Sequence, residues 1–111
     1  MIADDDTLRG YEAVHGCPPV FEGSDGRPYS VGVFAEDDAG PDGRYGAALL
    51  FVRWSPLNEP EGHLETDFLA YDADPARAEE IVGSLTLQDV KRHLDQLIAG
   101  QPVAAGRFPR G

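Results

Sequence analysis

The sequence has little that could form a disulfide, act as a signal peptide or span a membrane. Cys17 is the one cysteine, so an intramolecular disulfide is excluded. Aspartates at residues 4–6 stand where a signal peptide would carry basic side chains. The longest dense apolar run, residues 47–52, is about a third of the roughly 20 residues that a membrane-spanning helix needs. We therefore expect a cytoplasmic protein that has no membrane partner.

Basic residues are also scarce. The 111 residues include nine lysines and arginines against 20 aspartates and glutamates, which gives a formal net charge of -11. Such an excess repels the phosphates of nucleic acids, so direct binding to DNA or RNA is not expected. A high-GC genome or adaptation to salt would produce the same bias, and Lys91 is the only lysine. The charge alone therefore does not establish a binding function.

Motifs of the large catalytic and cofactor-binding families are absent. The sequence contains no P-loop, no dinucleotide fingerprint and no Gly-x-Ser-x-Gly segment. The spacing of its three histidines and Cys17 matches no compact zinc pattern. These absences favour a non-enzymatic protein that works without a cofactor.

Two Asp-Gly-Arg segments, at residues 25–27 and 42–44, predict turns between strands. Asp-Gly is a strong hairpin signal, because glycine accepts the positive φ that such turns need. The second segment also shares acidic and glycine positions with a calcium-binding loop. Counted from Asp38, however, the third position is Gly40 and the twelfth is Leu49, where such a loop needs ligands. We therefore expect two structural turns and no calcium site.

The sequence does contain enough apolar material for one folded domain, since 41% of its side chains are hydrophobic. Helix starts are indicated by Asp6, by Asp74 before Pro75, and by Thr86. The predicted helices cover residues 7–15, 75–83 and 86–100, and the predicted strands cover residues 20–23, 28–36, 45–54 and 63–71.

This pattern predicts an α+β fold. We expect a small antiparallel sheet of three to four strands in a meander, a short N-terminal helix, and one or two C-terminal helices packed on the sheet. Residues 1–102 are predicted to form a single domain. Residues 103–111 have no periodicity and are predicted to form a flexible tail.

The strand predicted at residues 45–54 is apolar on both of its faces. Successive side chains of a strand point to opposite sides. The two sets are Ala47, Leu49 and Phe51 on one side and Ala48, Leu50 and Val52 on the other. One helical layer covers only one side, so either the N-terminal helix or another chain must cover the second. We therefore predict an interface at Leu50, Val52 and Trp54, with a homodimer as one form of it.

The sharpest chemical candidate is the row His63, Glu65 and Asp67 in the last predicted strand. Alternation places the three side chains on one face, where they could act as an acid and base or share a metal. Further metal ligands would have to come from His15, Cys17 or His93. A solvated polar strand face is the simpler interpretation, because residues two apart on one strand lie about 6 to 7 Å apart.

Two hypotheses about function follow. The first is a small acidic interaction or regulatory module, whose segments at residues 36–42 and 59–80 meet a basic protein partner. Inhibitors, immunity proteins and DNA mimics have this kind of acidity. The alternative is a small metal-dependent enzyme or metal-binding protein that uses His63, Glu65 and Asp67.

Overall fold

The computed structural model of the chain describes residues 6–100, which form three helices and five strands. In chain order they are α1 (Leu8–His15), β1 (Val20–Glu22), β2 (Pro28–Ala35), β3 (Tyr45–Trp54), β4 (Pro60–Glu65), β5 (Ala70–Asp72), α2 (Pro75–Gly83) and α3 (Leu87–Gly100). The predicted α+β fold is confirmed. The tail predicted at residues 103–111 lies outside the described residues.

All five strands belong to one antiparallel sheet. Its order is β1-β2-β3-β4, and β5 pairs with β3 on the same edge as β4. β4 pairs with the end of β3 and β5 with its beginning, from Tyr45 to Ala47. The meander is therefore confirmed, and β3 is its central strand.

The single strand predicted at residues 63–71 is wrong, because pairing is interrupted at residues 66–69. Thr66 explains the interruption. Its hydroxyl oxygen accepts a hydrogen bond from the backbone N–H of Leu49 at 3.1 Å, and the hydroxyl donates to the carbonyl oxygen of Asp67 at 2.7 Å. The backbone N–H of Thr66 still donates to the carbonyl of Leu49 at 3.1 Å, but the hydroxyl takes the place of the Thr66 carbonyl as the acceptor. Pairing resumes when the N–H of Leu69 donates to the carbonyl of Ala47 at 2.8 Å.

The two Asp-Gly-Arg segments form the same turn, as predicted. In the first, Asp25 Oδ1 accepts from the backbone N–H of Arg27 at 3.0 Å, and Gly26 has a φ of 79°. In the second, Asp42 Oδ1 accepts from the N–H of Arg44 at 3.1 Å, and the glycine between them has a φ of 80°. Both glycines adopt a backbone conformation that other residues rarely reach.

The helices begin where polar side chains cap them. Asp74 accepts a hydrogen bond from an N–H of the first turn of α2, and Thr86 does the same for α3, both at 3.0 Å. At α1 the cap is Thr7 instead of the predicted Asp6. Gly16, with a φ of 74°, ends α1 in the left-handed region.

The helices and the core lie on one side of the sheet. The core brings together side chains of every helix and of four strands: Leu8, Tyr29, Val31, Ala47, Leu49, Phe51, Leu64, Ala70, Ala78, Val82, Val90 and Leu94. α1 belongs to this side too, because its first residue is in the core and the N–H of Leu8 donates to the carbonyl of Leu85 at 3.0 Å. α1 therefore does not cover the second side of β3, and that alternative is wrong.

Candidate functional site

The second side of the sheet is covered by no helix of residues 6–100. Directly paired residues of antiparallel strands point to the same side, so the pairing register identifies its side chains. They are Val20 and Glu22 from β1, Pro28, Ser30, Gly32 and Phe34 from β2, Gly46, Ala48, Leu50, Val52 and Trp54 from β3, His63 and Glu65 from β4, and Tyr71 from β5. We call this surface the open face.

The middle of the open face is apolar. Leu50, Val52 and Trp54 follow one another along β3, and each is half-buried although no helix lies over it. The indole Nε1 of Trp54 donates a hydrogen bond to Ser30 Oγ at 3.0 Å, which holds the ring against β2. The three residues predicted as an interface therefore lie together in the centre of the open face.

Within residues 6–100, three shallow depressions lie on or beside the open face. The first, of about 320 Å³, is lined by Leu50, Val52, Pro60, Gly62, His63 and Glu65. The second, of about 580 Å³, is lined by Glu36, Gly40, Pro41, Asp42, Arg44, Phe68 and Tyr71. The third, of about 440 Å³, is lined by Phe34, Glu65, Thr66, Asp67, Phe68 and Tyr71. Each of them combines apolar with acidic side chains.

The wall between the second and third depressions is an aromatic pair. The rings of Phe68 and Tyr71 meet edge to face, with their centroids 5.9 Å apart. Phe68 lies directly over Gly46, where a Cβ atom would come within 2.6 Å of the ring. The guanidinium carbon of Arg44 lies 5.2 Å from the centroid of Tyr71. Hydrogen bonds from Arg44 also hold the pKa of Asp42 below its usual value.

His63 and Glu65 lie side by side on β4, with His63 Nε2 3.6 Å from Glu65 Oε2. Asp67 does not continue this row, because β4 ends at Glu65 and the chain leaves the ladder there. The predicted row of three on one strand face is therefore wrong in its third member. Asp67 instead lines the third depression together with Glu65.

The other predicted metal ligands lie elsewhere. His15 ends α1, where its ring centroid is 4.1 Å from that of Tyr11, and Cys17 is exposed just beyond the helix. His93 is on α3. None of the three lines the depression that holds His63. In the part of the chain from residue 6 to residue 100, no three histidine, cysteine or acidic side chains are grouped to hold a metal ion.

A second polar cluster lies on the covered side, at the end of the sheet. The Tyr29 hydroxyl donates to Asp25 Oδ2 at 2.7 Å, and Arg53 lies 3.6 Å from the same oxygen and 3.1 Å from Glu61 Oε2. Burial is the main cause that raises the pKa of Tyr29 to about 12, and the hydrogen bond to Asp25 is the next largest cause. Because its charges are paired, this cluster joins the first turn to β3 and β4.

The third depression was not predicted from the sequence. Phe34, Phe68 and Tyr71 come from three separate segments, and no local periodicity connects them. The signal that existed was Gly46, whose lack of a side chain leaves the space above β3 that the ring of Phe68 occupies.

Compared with protein-family models, with curated proteins and with solved structures, the chain gave no significant match. Within residues 6–100, no helix is both long enough and apolar enough to cross a membrane. The geometry of the open face is therefore the observation from which a function can be argued.

Proposed function

We propose that this chain is a non-enzymatic protein-interaction module that binds a basic partner protein through the open face. One observation carries the proposal. All three helices pack on one side of the sheet, while Leu50, Val52 and Trp54 form a contiguous apolar centre on the other. Removing such a surface from water is favourable by about 25 cal/mol for each Å² of apolar area that a partner buries.

The composition of the open face supports a protein as the partner. Apolar residues of β3 lie beside polar residues of β4, and protein interfaces commonly combine the two. Tryptophan is among the residues that contribute most to binding when a partner desolvates them. Trp54 is already held in place by Ser30, so little side-chain freedom would be lost on binding.

The charge supports a basic partner. Glu36, Glu65 and Asp67 line the depressions, and the whole chain carries a net charge of -11. Opposite charges steer association, whereas two copies of this chain would bring like charges together. This is the reason to favour a basic partner over a second copy.

The enzyme or metal-binding alternative has less support. It rests on the contact between His63 and Glu65, since Asp67 lies beyond the end of the strand and His15, Cys17 and His93 lie elsewhere. We therefore keep the interaction module as the proposal.

The experiment is a differential selection of peptides. A random 12-residue library would be selected in parallel on the wild type and on the double variant Leu50→Ser/Val52→Ser, keeping peptides that bind only the wild type. We expect those peptides to combine apolar residues with lysine or arginine, and their binding to weaken as salt is raised. A selection that yields no peptide specific to the wild type, or peptides that carry no basic residues, would contradict the proposal.

A matched control is available on the helical side. Val14 on α1 and Ile81 on α2 are 47% and 41% exposed, so Val14→Ser/Ile81→Ser removes two aliphatic side chains that are more exposed than Leu50 and Val52 from a different surface. This variant should keep wild-type peptide binding. Light scattering on all three proteins tests self-association. A dimer that only the Leu50→Ser/Val52→Ser variant loses would mean that the partner is a second copy.

A further inference from the structure

The third depression of the open face differs from the other two in its walls. Phe34 forms one side, the pair of Phe68 and Tyr71 forms another, and the carboxylates of Glu65 and Asp67 lie at its edge. Its volume is about 440 Å³, which is ample room for one side chain of a partner. Among the described residues, its lining contains no lysine or arginine.

The depression follows from the pairing register. Phe34 lies directly opposite Ala48, and Tyr71 lies opposite Gly46, so both rings stand on the open face beside small residues of β3. At the edge of the sheet, pairing is interrupted at residues 66–69, which moves Asp67 and Phe68 out of the ladder. The ring of Phe68 lies over Gly46 and borders the depression together with Phe34 and Tyr71.

The chemistry of these walls selects a cation. The faces of aromatic rings attract an ammonium or guanidinium group, and a nearby carboxylate adds to the attraction. Within residues 6–100, the carboxylate of Asp67 makes no hydrogen bond or ion pair. Glu65 has only the neighbouring His63, at 3.6 Å.

The molecule already contains one example of this attraction. On the other side of the aromatic pair, the guanidinium of Arg44 lies over Tyr71, with its carbon 5.2 Å from the ring centroid. Arg44 is positioned there by its own turn, because its Nε donates to Asp42 Oδ2 at 2.9 Å. The third depression offers a comparable arrangement of ring and carboxylate to a cation from outside the chain.

We infer that the third depression is a cation pocket, formed by Phe34, Glu65, Asp67, Phe68 and Tyr71, that receives a lysine or arginine side chain of the partner. The inference rests on the proposed function, since the open face brings the partner to the pocket. It adds the identity of the group that is recognised. A divalent metal ion fits less well, because three of the six residues that line the depression carry hydrocarbon or phenol rings and such ions need several oxygen ligands.

The experiment uses single amino-acid probes, so that it does not depend on a selected peptide. N-acetyl-arginine methylamide and N-acetyl-lysine methylamide would be titrated into the isotope-labelled chain while the ring signals of Phe34, Phe68 and Tyr71 are followed by NMR. N-acetyl-citrulline methylamide is the neutral control with nearly the shape of the arginine probe. We expect saturable shifts with at least one basic probe, and affinity weaker by roughly fivefold or more for citrulline.

A pair of variants tests whether the Asp67 carboxylate contributes to binding of the basic probe. Asp67→Asn should weaken binding of the basic probe by roughly three- to tenfold and leave the thermal unfolding temperature close to that of the wild type. Asp38→Asn, which changes an exposed aspartate in the loop between β2 and β3, should leave the affinity unchanged. The relative affinities of the arginine and lysine probes show which side chain the pocket prefers.

Two results would overturn the cation pocket. One is equal binding of the citrulline and arginine probes. The other is that the shifts fall outside the three aromatic rings, or that Asp67→Asn leaves the affinity of the basic probe unchanged. The proposed function fails separately. If peptides are found that need Leu50 and Val52 but no basic probe binds, the interaction module stands without the pocket. If a basic probe binds but no such peptides are found, the pocket stands without the module.

Discussion

The two faces of the sheet use the same strand in different ways. On β3, Phe51 has no exposed surface and lies in the core under the helices, while its neighbour Val52 is half-buried on the open face. Both are apolar, so composition does not separate them. Their partners do, because Phe51 packs within the chain and Val52 lies on a side that no described helix covers. The difference indicates that one face is used for folding and that the other is available for binding.

The first prediction tests this comparison with two adjacent residues. Phe51→Ala removes a fully buried ring and should lower the free energy of unfolding by about 3–5 kcal/mol. Val52→Ala removes a partly exposed side chain and should cost less than about 1.5 kcal/mol. Urea denaturation of both variants measures the difference. Equal losses would mean that the open face contributes to folding as much as the covered face.

The second prediction concerns the covered side and its dependence on pH. The pKa of Tyr29 is about 12 in the folded chain against 10.0 for an ordinary tyrosine, so the folded state holds this proton more tightly than the unfolded state. The resulting stability is complete below pH 10 and is lost as pH rises toward 12, by roughly 2–3 kcal/mol.

Denaturation of the wild type and of Tyr29→Phe at pH 9 to 12 checks this expectation. The variant has no phenol to ionise, so its stability should fall less over the same interval. Parallel decreases in the two proteins would show that the Tyr29 hydroxyl is not the group responsible.

The third prediction addresses a position on the open face where packing is tight. Gly46→Ala would place a Cβ atom 2.6 Å from the ring of Phe68, which must move. Since Phe68 is 38% exposed, the ring can shift, and we expect a loss of only about 1 kcal/mol in the free energy of unfolding. Gly32→Ala is the control, because a Cβ atom there meets nothing within 4 Å.

The effect of Gly46→Ala on ligand binding sharpens the comparison further. Displacement of Phe68 alters a wall of the cation pocket. The affinity for the arginine probe should therefore fall, although the variant remains folded. Unchanged affinity would indicate that the position of Phe68 does not matter for binding.

Local signals predicted most of the fold. The helix starts at Asp74 and Thr86 and the two Asp-Gly-Arg turns depend on groups within a few residues of each other, so the sequence is sufficient to place them. The break at residues 66–69 depends on a bond from Leu49 to the side chain of Thr66, 17 residues away, and no local pattern reveals it.

The position of α1 was unpredictable for a related reason. The spacing of apolar residues gives a helix one apolar face, but it does not say on which side of the sheet the helix will lie. That choice depends on the contact of Leu8 with Leu85, between segments at opposite ends of the described chain. The open face, and with it the candidate site, became visible only once α1 was placed.

The two turns show the same limit at the level of side chains. Their backbones match, yet Asp25 binds Tyr29 and Asp42 binds Arg44. Arg44 belongs to the second turn itself, whereas the corresponding Arg27 of the first turn pairs with Glu61 on β4 and leaves Asp25 to Tyr29. Sequence thus predicts the turn and leaves the chemistry around it to tertiary structure.

The most direct test of the central claim is a map of where a selected peptide binds. Methyl signals of Leu50 and Val52 report on the open face, and those of Val14 and Ile81 report on exposed apolar residues of the helices. Both sets can be followed in one NMR titration with the tightest peptide from the differential selection.

The account predicts that the methyl signals of Leu50 and Val52 shift, with contacts to the peptide, while those of Val14 and Ile81 stay in place. Shifts confined to Val14 and Ile81 would contradict it, because the partner would then bind the helical layer and the open face would not be the interaction surface.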